Sequence, residues 1–210
     1  MARTTIREED ITSGAVPATG LQSIQYIHSS GTWTKPSGIT KVRVYVTGGG
    51  GSGGTLSGSN HNSGGWGGGT AIKFIDVSSI SSATVTIGSG GPANTTATTN
   101  GQNAGDSVWD DGTNVVTGGG GKGNGSWSSS ASGGDMNIPG DAPTSYIGGA
   151  SFWSNRSHAS HTISSSLHPY ASSSNDTSVA GLGQGGRGYY SSGVTGYAGG
   201  NGIIVVEEYA

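Results

Sequence analysis

Lys41-Val42-Arg43-Val44-Tyr45-Val46-Thr47-Gly48-Gly49-Gly50-Gly51-Ser52-Gly53-Gly54 joins two opposite patterns within one short stretch. In its first half the three valines fall on one face of an extended chain and Lys41, Arg43, Tyr45 and Thr47 on the other, the period-two signature of a half-buried strand. Its second half carries almost no side chains. Comparable runs occur at Gly64-Gly65-Trp66-Gly67-Gly68-Gly69, Gly118 to Gly121 and Gly183 to Gly188, and glycine makes up 43 of the 210 residues. Each glycine loses more backbone freedom on ordering than any other residue, so this usage implies backbone-to-backbone contact that a Cβ would block. It points to a built surface and not to a catalytic pocket.

Working outward, Ile24, Tyr26, Ile27 and Trp33 predict a strand pair or one bent strand between Ser23 and Lys35, closed by a Pro36-Ser37-Gly38 turn. Further strands are predicted over 70–77, 83–87, 107–109 and 114–117, the last two joined across Asp110-Asp111-Gly112, whose Asp-Gly pair suits a hairpin. Ile203-Ile204-Val205-Val206 is apolar on both faces and predicts a central or doubly covered strand. Apolar strands thus bracket the glycine-rich portion. The expected fold is all-β: a small sandwich or sheet base, with polyglycine II-like runs and polar inserts projecting from one end. Residues 1–24 are expected to form an attachment or oligomerisation arm, and residues 25–210 the glycine-rich domain.

Only 30% of residues are apolar and 10% charged, which alone would suggest disorder. Clustering of the apolar residues into strand-length runs, with five tryptophans and eight tyrosines, argues for order instead. Extended glycine helices of three residues per turn can also satisfy one another. A net charge of −3 with scattered basic residues gives little attraction for phosphate backbones, so no nucleic acid is expected. There are no cysteines for disulfides or thiolate metal sites. No apolar stretch approaches a membrane span and no signal-peptide core is evident, so synthesis in a cytoplasm is expected.

Several elements together resemble the glycine-rich distal domain of bacteriophage tail fibres. They are Gly31-Thr32-Trp33-Thr34-Lys35-Pro36, the Ile39 to Val46 strand running into Gly48 to Gly54, Val85-Thr86-Ile87-Gly88-Ser89-Gly90-Gly91, and the closing stretch from Gly199 to Tyr209. The resemblance covers about residues 25–210; the opening Met1 to Val16 is similar to the start of phage fibre proteins. It implies a virion receptor-binding element, trimeric in fibres, whose variable inserts touch a host-surface glycan or outer-membrane protein and whose arm meets other tail proteins. Related adhesins that cap long fibres are monomeric and pack their glycine-rich segments as a bundle of extended helices. This chain is short and lacks a fibre shaft.

Other motifs carry less. Gly183-Gln184-Gly185-Gly186-Arg187-Gly188 matches a dinucleotide-binding spacing, but Tyr189-Tyr190-Ser191 follows it where a helix is required. His158, His161 and His168 offer imidazoles in a serine-rich segment with little helical character, which reads as loop surface and not as a metal site. Adjacent Asp110 and Asp111 point apart on a turn, Asp135 and Asp141 lie in loops whose geometry the sequence does not set, and nothing resembles a nucleophile elbow. No enzyme activity, cofactor or metal is expected.

Aromatic residues outside the strands are more informative. Rings flanked by Ser, Asn, His and Arg form the mixture of rigid anchors and adaptable polar groups that binding surfaces use. The candidate contact residues are Trp66, Trp127, Phe152, Trp153, Arg156, His158, His161, His168, Tyr170, Tyr189 and Tyr190, with the polar insert 141–180 as the preferred region. Two other readings are an ice-binding polyglycine bundle and a purely structural virion protein.

Overall fold

The structure, a computed structural model, describes residues 20–54, 64–94, 100–123, 129–144, 147–155, 181–186, 188 and 196–210. Ten strands follow in chain order: β1 (Leu21–Ile27), β2 (Gly31–Thr34), β3 (Lys41–Thr47), β4 (Thr70–Asp76), β5 (Ser82–Thr86), β6 (Ser107–Asp110), β7 (Val115–Gly118), β8 (Ala131–Ser132), β9 (Met136–Ile138) and β10 (Ile203–Tyr209). The described residues contain no helix. The strands form two antiparallel five-stranded sheets, β1-β10-β3-β4-β9 and β2-β5-β6-β7-β8. The all-β expectation holds.

Alternation explains the core. Val42, Val44 and Val46 pair across to Glu208, Val206 and Ile204, and this face meets Trp33, Val85, Trp109 and Val116 of the second sheet. The Trp33 and Trp109 rings pack at 5.0 Å between centroids. β10 lies between β1 and β3, the interior place expected of a strand apolar on both faces. The segment from Ser23 to Lys35 resolves into two strands in different sheets, β1 and β2. β6 and β7 form the expected hairpin, with Asp110 opposite Val115 and Gly112 in the left-handed region at φ +84°.

Glycine runs continue the strands out of the sandwich. Gly48, Gly49, Gly50, Gly51, Ser52 and Gly53 donate their amides in turn to the carbonyls of Gly69, Gly105, Gly200, Trp66, Gln102 and Tyr197, at 2.8 to 3.1 Å. Every third amide therefore addresses the same neighbour, which steps back three residues each time. That is an extended helix of three residues per turn, hydrogen-bonded outward in three directions. Its carbonyls face three further segments: Gly49, Gly50 and Gly51 accept from Gly121, Gly91 and Gly186.

The six neighbours close a ring around this axis. In order they are 64–69, 119–123, 101–105, 88–94, 196–202 and 183–186, and adjacent members bond to each other. The joining bonds include Gly69 N to Gly119 O, Ala104 N to Gly121 O, Gly105 N to Ser89 O, Gly199 N to Gly91 O, Gly200 N to Gln184 O and Gly68 N to Gly183 O. Segments leaving the sandwich (88–94, 119–123 and also 183–186) run parallel to 48–54, and returning ones run antiparallel. This alternation follows from connectivity, because β3, β5 and β7 lead out while β4, β6 and β10 are entered on the way back. A flanking hairpin, closed by mutual Thr144–Ile147 hydrogen bonds, joins the bundle through Gly67 N to Asp141 O and Gly149 N to Gly65 O.

Candidate functional site

The described candidate residues meet where the first sheet runs into the bundle. β3 alternation places Arg43, Tyr45 and Thr47 on the outer face of that sheet, away from the core. On this face Ser151-Phe152-Trp153-Ser154 forms a tight turn: Ser154 N bonds Ser151 O at 3.4 Å and Trp153 N bonds Ser151 Oγ at 3.2 Å. The Ser151 hydroxyl donates to Leu182 O at 2.6 Å, tying the turn to the bundle segment that follows.

This turn lays two rings over Tyr45. Trp153 meets it edge-on at 5.6 Å, Phe152 lies 6.1 Å away, and the two insert rings are 4.9 Å apart and near perpendicular. Trp153 Nε1 donates to Thr47 Oγ1 at 3.0 Å, and Thr47 Oγ1 shares a 2.8 Å hydrogen bond with Thr70 Oγ1. The indole is thus fixed in orientation as well as packed, while Phe152 stays exposed.

Further along the same face, Glu207 collects donors. Tyr209 OH donates to Oε2 at 2.7 Å, Tyr45 OH donates to Oε1 at 3.2 Å, and Arg43 Nη1 lies 3.4 Å from Oε2. The bond to Glu207 pushes the Tyr209 phenol above its ordinary value, with burial adding to the effect. Hydrogen bonding to Tyr45 raises Arg43 above its already basic value, and Glu207 contributes in the same direction. The guanidinium carbon stands 6.0 Å from the centroids of both Phe74 and Tyr209. Fixed rings beside a partly exposed ion pair provide stacking and polar contacts for a ligand.

Of the sequence candidates, Phe152 and Trp153 are brought together here. Trp66 lies half-buried within bundle segment 64–69. Trp127, Arg156, His158, His161, His168, Tyr170, Tyr189 and Tyr190 lie outside the described residues, as does most of the preferred region 141–180. The described residues hold no group of three or more metal-ligating side chains. Asp110 and Asp111 act as turn acceptors, Asp110 for Gly112 N and Asp111 for Thr113 N and Asn114 N. Arg43, Tyr45, Phe74, Glu207 and Tyr209 are missing from the sequence candidates. The β3 alternation, which assigned Arg43 and Tyr45 to the side opposite the valines, could have found those two; Phe74, Glu207 and Tyr209 join them only through strand pairing.

The bundle also sorts the inserts by position. Residues flanking 55–63 and 95–99, together with Gly123, Gly186 and Gly196, end bundle segments on the side remote from the sheets. Asn155 and Gly181, which flank 156–180, lie at the sheet end: Gln184 Nε2 donates to Asn155 O at 2.6 Å and Gly181 N to Gln184 Oε1 at 2.7 Å.

A two-sheet base thus bears a hexagonal bundle of extended glycine helices, and backbone packing positions the segments from which the inserts leave. The chain belongs to the glycine-rich domain family, whose model matches residues 27–209. Comparison with curated proteins returns no match.

Proposed function

We propose that this protein is the receptor-binding tip of a bacteriophage tail fibre, which attaches to a host-surface glycan or outer-membrane protein without chemically altering it. The observation that carries this reading is the ring of six segments around 48–53. Such a bundle supplies a rigid platform from little side-chain material, so the insert ends are held in place before any receptor arrives. Preorganisation of that kind raises affinity by removing ordering costs from the binding step. The phage-fibre resemblance of the opening, β3 and closing stretches supports the same reading. In it, the chain ahead of β1 meets other tail proteins, a homotrimer multiplies weak contacts, and Phe152 and Trp153 contribute anchors at the sheet end.

The test is adsorption. Purified protein should bind intact host cells, fail to bind receptor-deficient strains, and compete with the parent phage. Trp153→Ala and deletion of 156–170 should weaken binding at least about tenfold if the anchors lie there, equivalent to about 1.4 kcal/mol. Absence of binding to any permissive host would overturn the proposal in favour of a structural virion role.

A further inference from the structure

Asparagine followed by glycine is the dipeptide in which a main chain most readily attacks its own side chain, because glycine sets no Cβ in the path and leaves the peptide free to rotate. The sequence holds three such pairs, at 100–101, 124–125 and 201–202, and the structure describes the first and the last. Asn100 and Asn201 are both exposed. Accessibility therefore does not separate them; their places in the bundle do.

At 201–202 every group that would have to move is held. Gly202 is buried and its amide donates to Gly88 O at 2.8 Å, while Asn201 O accepts from Gly183 N at 2.7 Å. Asn201 Oδ1 accepts from Gly90 N at 2.9 Å, which ties the carboxamide to the neighbouring segment. A Cβ built on Gly202 would fall 2.3 Å from both Ser107 Oγ and Thr47 O, so the backbone there has no room to rotate. Attack by Gly202 N on Asn201 Cγ requires the ring of segments to open first.

The pair at 100–101 lies where segment 101–105 begins, at the remote end. Gln102 N donates to Ser52 Oγ at 2.8 Å, and Ala104 N and Gly105 N donate to Gly121 O and Ser89 O at 2.9 Å. Gly101 N and the Asn100 carboxamide have no hydrogen-bond partner among the described residues. Asn94 Nδ2 donates to Asn100 O at 2.9 Å, which holds the carbonyl and neither of the reacting groups.

We propose that Asn100 is a site of spontaneous, main-chain-assisted deamidation, and that the glycine bundle shields the identical dipeptide at 201. Gly101 N gives up its proton to solvent and attacks Asn100 Cγ; the Cγ–Nδ2 bond breaks, Nδ2 takes up a proton and leaves as ammonia, and a five-membered imide remains. Water then opens the imide at either carbonyl. Opening at Cγ gives aspartate, and opening at the former main-chain carbonyl gives isoaspartate, whose backbone is one carbon longer. Water is the only co-reactant. Either product puts one more negative charge beside the point where 95–99 leaves the bundle, on a chain whose formal charge is −3. Isoaspartate also turns the carbonyl that Asn94 holds into a free carboxylate.

This chemistry needs no host and stands apart from the adsorption reading. The test is incubation of the full chain in mildly alkaline buffer, followed by site-resolved peptide mass spectrometry that separates aspartate from isoaspartate. Asn100 should convert at least about tenfold faster than Asn201, a barrier difference of about 1.4 kcal/mol. In concentrated guanidinium the two rates should converge, since the difference lies in the fold and not in the dipeptide. Asn100→Gln should remove the conversion from its peptide. No conversion at Asn100 in the native protein, equal rates at the two sites, or a difference that persists after unfolding would each overturn the proposal.

Discussion

Gly50 lies so close to Gln184 that a methyl group built on its Cα would fall 1.9 Å from the Gln184 carbonyl oxygen. The reciprocal face is as tight, since a Cβ on Gly199 would lie 1.7 Å from Gly50 O. Backbone stands on both sides of each contact, so neither neighbour can rotate away. Gly50→Ala and Gly199→Ala are each expected to cost about 3 kcal/mol or more, read from urea denaturation midpoints. Gly31, with nothing within 4 Å of its notional Cβ and no left-handed backbone, provides the contrast. Gly31→Ala should leave stability within about 0.5 kcal/mol of wild type or raise it slightly.

The second prediction concerns a buried carboxylate that joins the two sheets. Glu208 is 1% exposed; it accepts from Trp33 Nε1 at 2.9 Å, from Gln25 Nε2 at 2.7 Å and from the Ser23 hydroxyl. Three neutral donors converge on one acid. Glu208→Ala strands all three in the core and is expected to cost about 3 kcal/mol, with a change in Trp33 fluorescence. Glu208→Gln retains an acceptor but adds an NH2 facing donors, and should fall between the two.

Acid sensitivity is expected at the β6–β7 turn. Burial of Asp111 acts to raise its pKa, but hydrogen bonds from Asn114 N, Thr113 N and Trp109 Nε1 outweigh it and hold the carboxyl below its ordinary value. A carboxylate depressed in the folded state is protonated first in the unfolded chain. Its stabilisation is therefore complete above the unfolded pKa of about 3.9 and declines as pH falls through the lower folded value. Asp111→Asn should lower stability at pH 7 and flatten the acid limb of a stability-against-pH curve; an unchanged limb would assign acid unfolding elsewhere.

Trp153 provides the test of the sheet–bundle junction. Removing its partner with Thr47→Val leaves the indole N–H and the Thr70 hydroxyl without their shared hydrogen-bond partner, at a cost of about 1 to 2 kcal/mol. Trp153 emission should shift, and host-cell binding should fall if the ring orientation matters for contact.

The strands were legible because side-chain alternation is local. Val42, Val44 and Val46 announce β3, and Asp111-Gly112 announces the hairpin, without any knowledge of the remaining chain. β8 and β9 were not anticipated. Ala131-Ser132 and Met136-Asn137-Ile138 are too short to show a period, and β9 becomes a strand only by pairing with β4. The glycine bundle lies between these cases. Composition announced close-packed backbone, but an order such as 64–69 beside 119–123 beside 101–105 cannot be read from runs that lack side chains. Every residue in them presents the same hydrogen-bonding groups, and only the strands they extend decide which run meets which. The junction site was half legible for the same reason: Phe152 and Trp153 stood out as rings in a polar insert, whereas their partner Tyr45 looked like an ordinary strand position.

The central claim is that the glycine runs form a single hydrogen-bonded bundle, and native-state amide exchange of residues 48–53 tests it most directly. All six amides have carbonyl partners at 2.8 to 3.1 Å inside a closed ring of neighbours. They should exchange as slowly as the amides of β3 and β10, by global unfolding. Exchange at the rate of an unstructured glycine peptide would contradict the bundle, and with it the platform on which the proposed function depends.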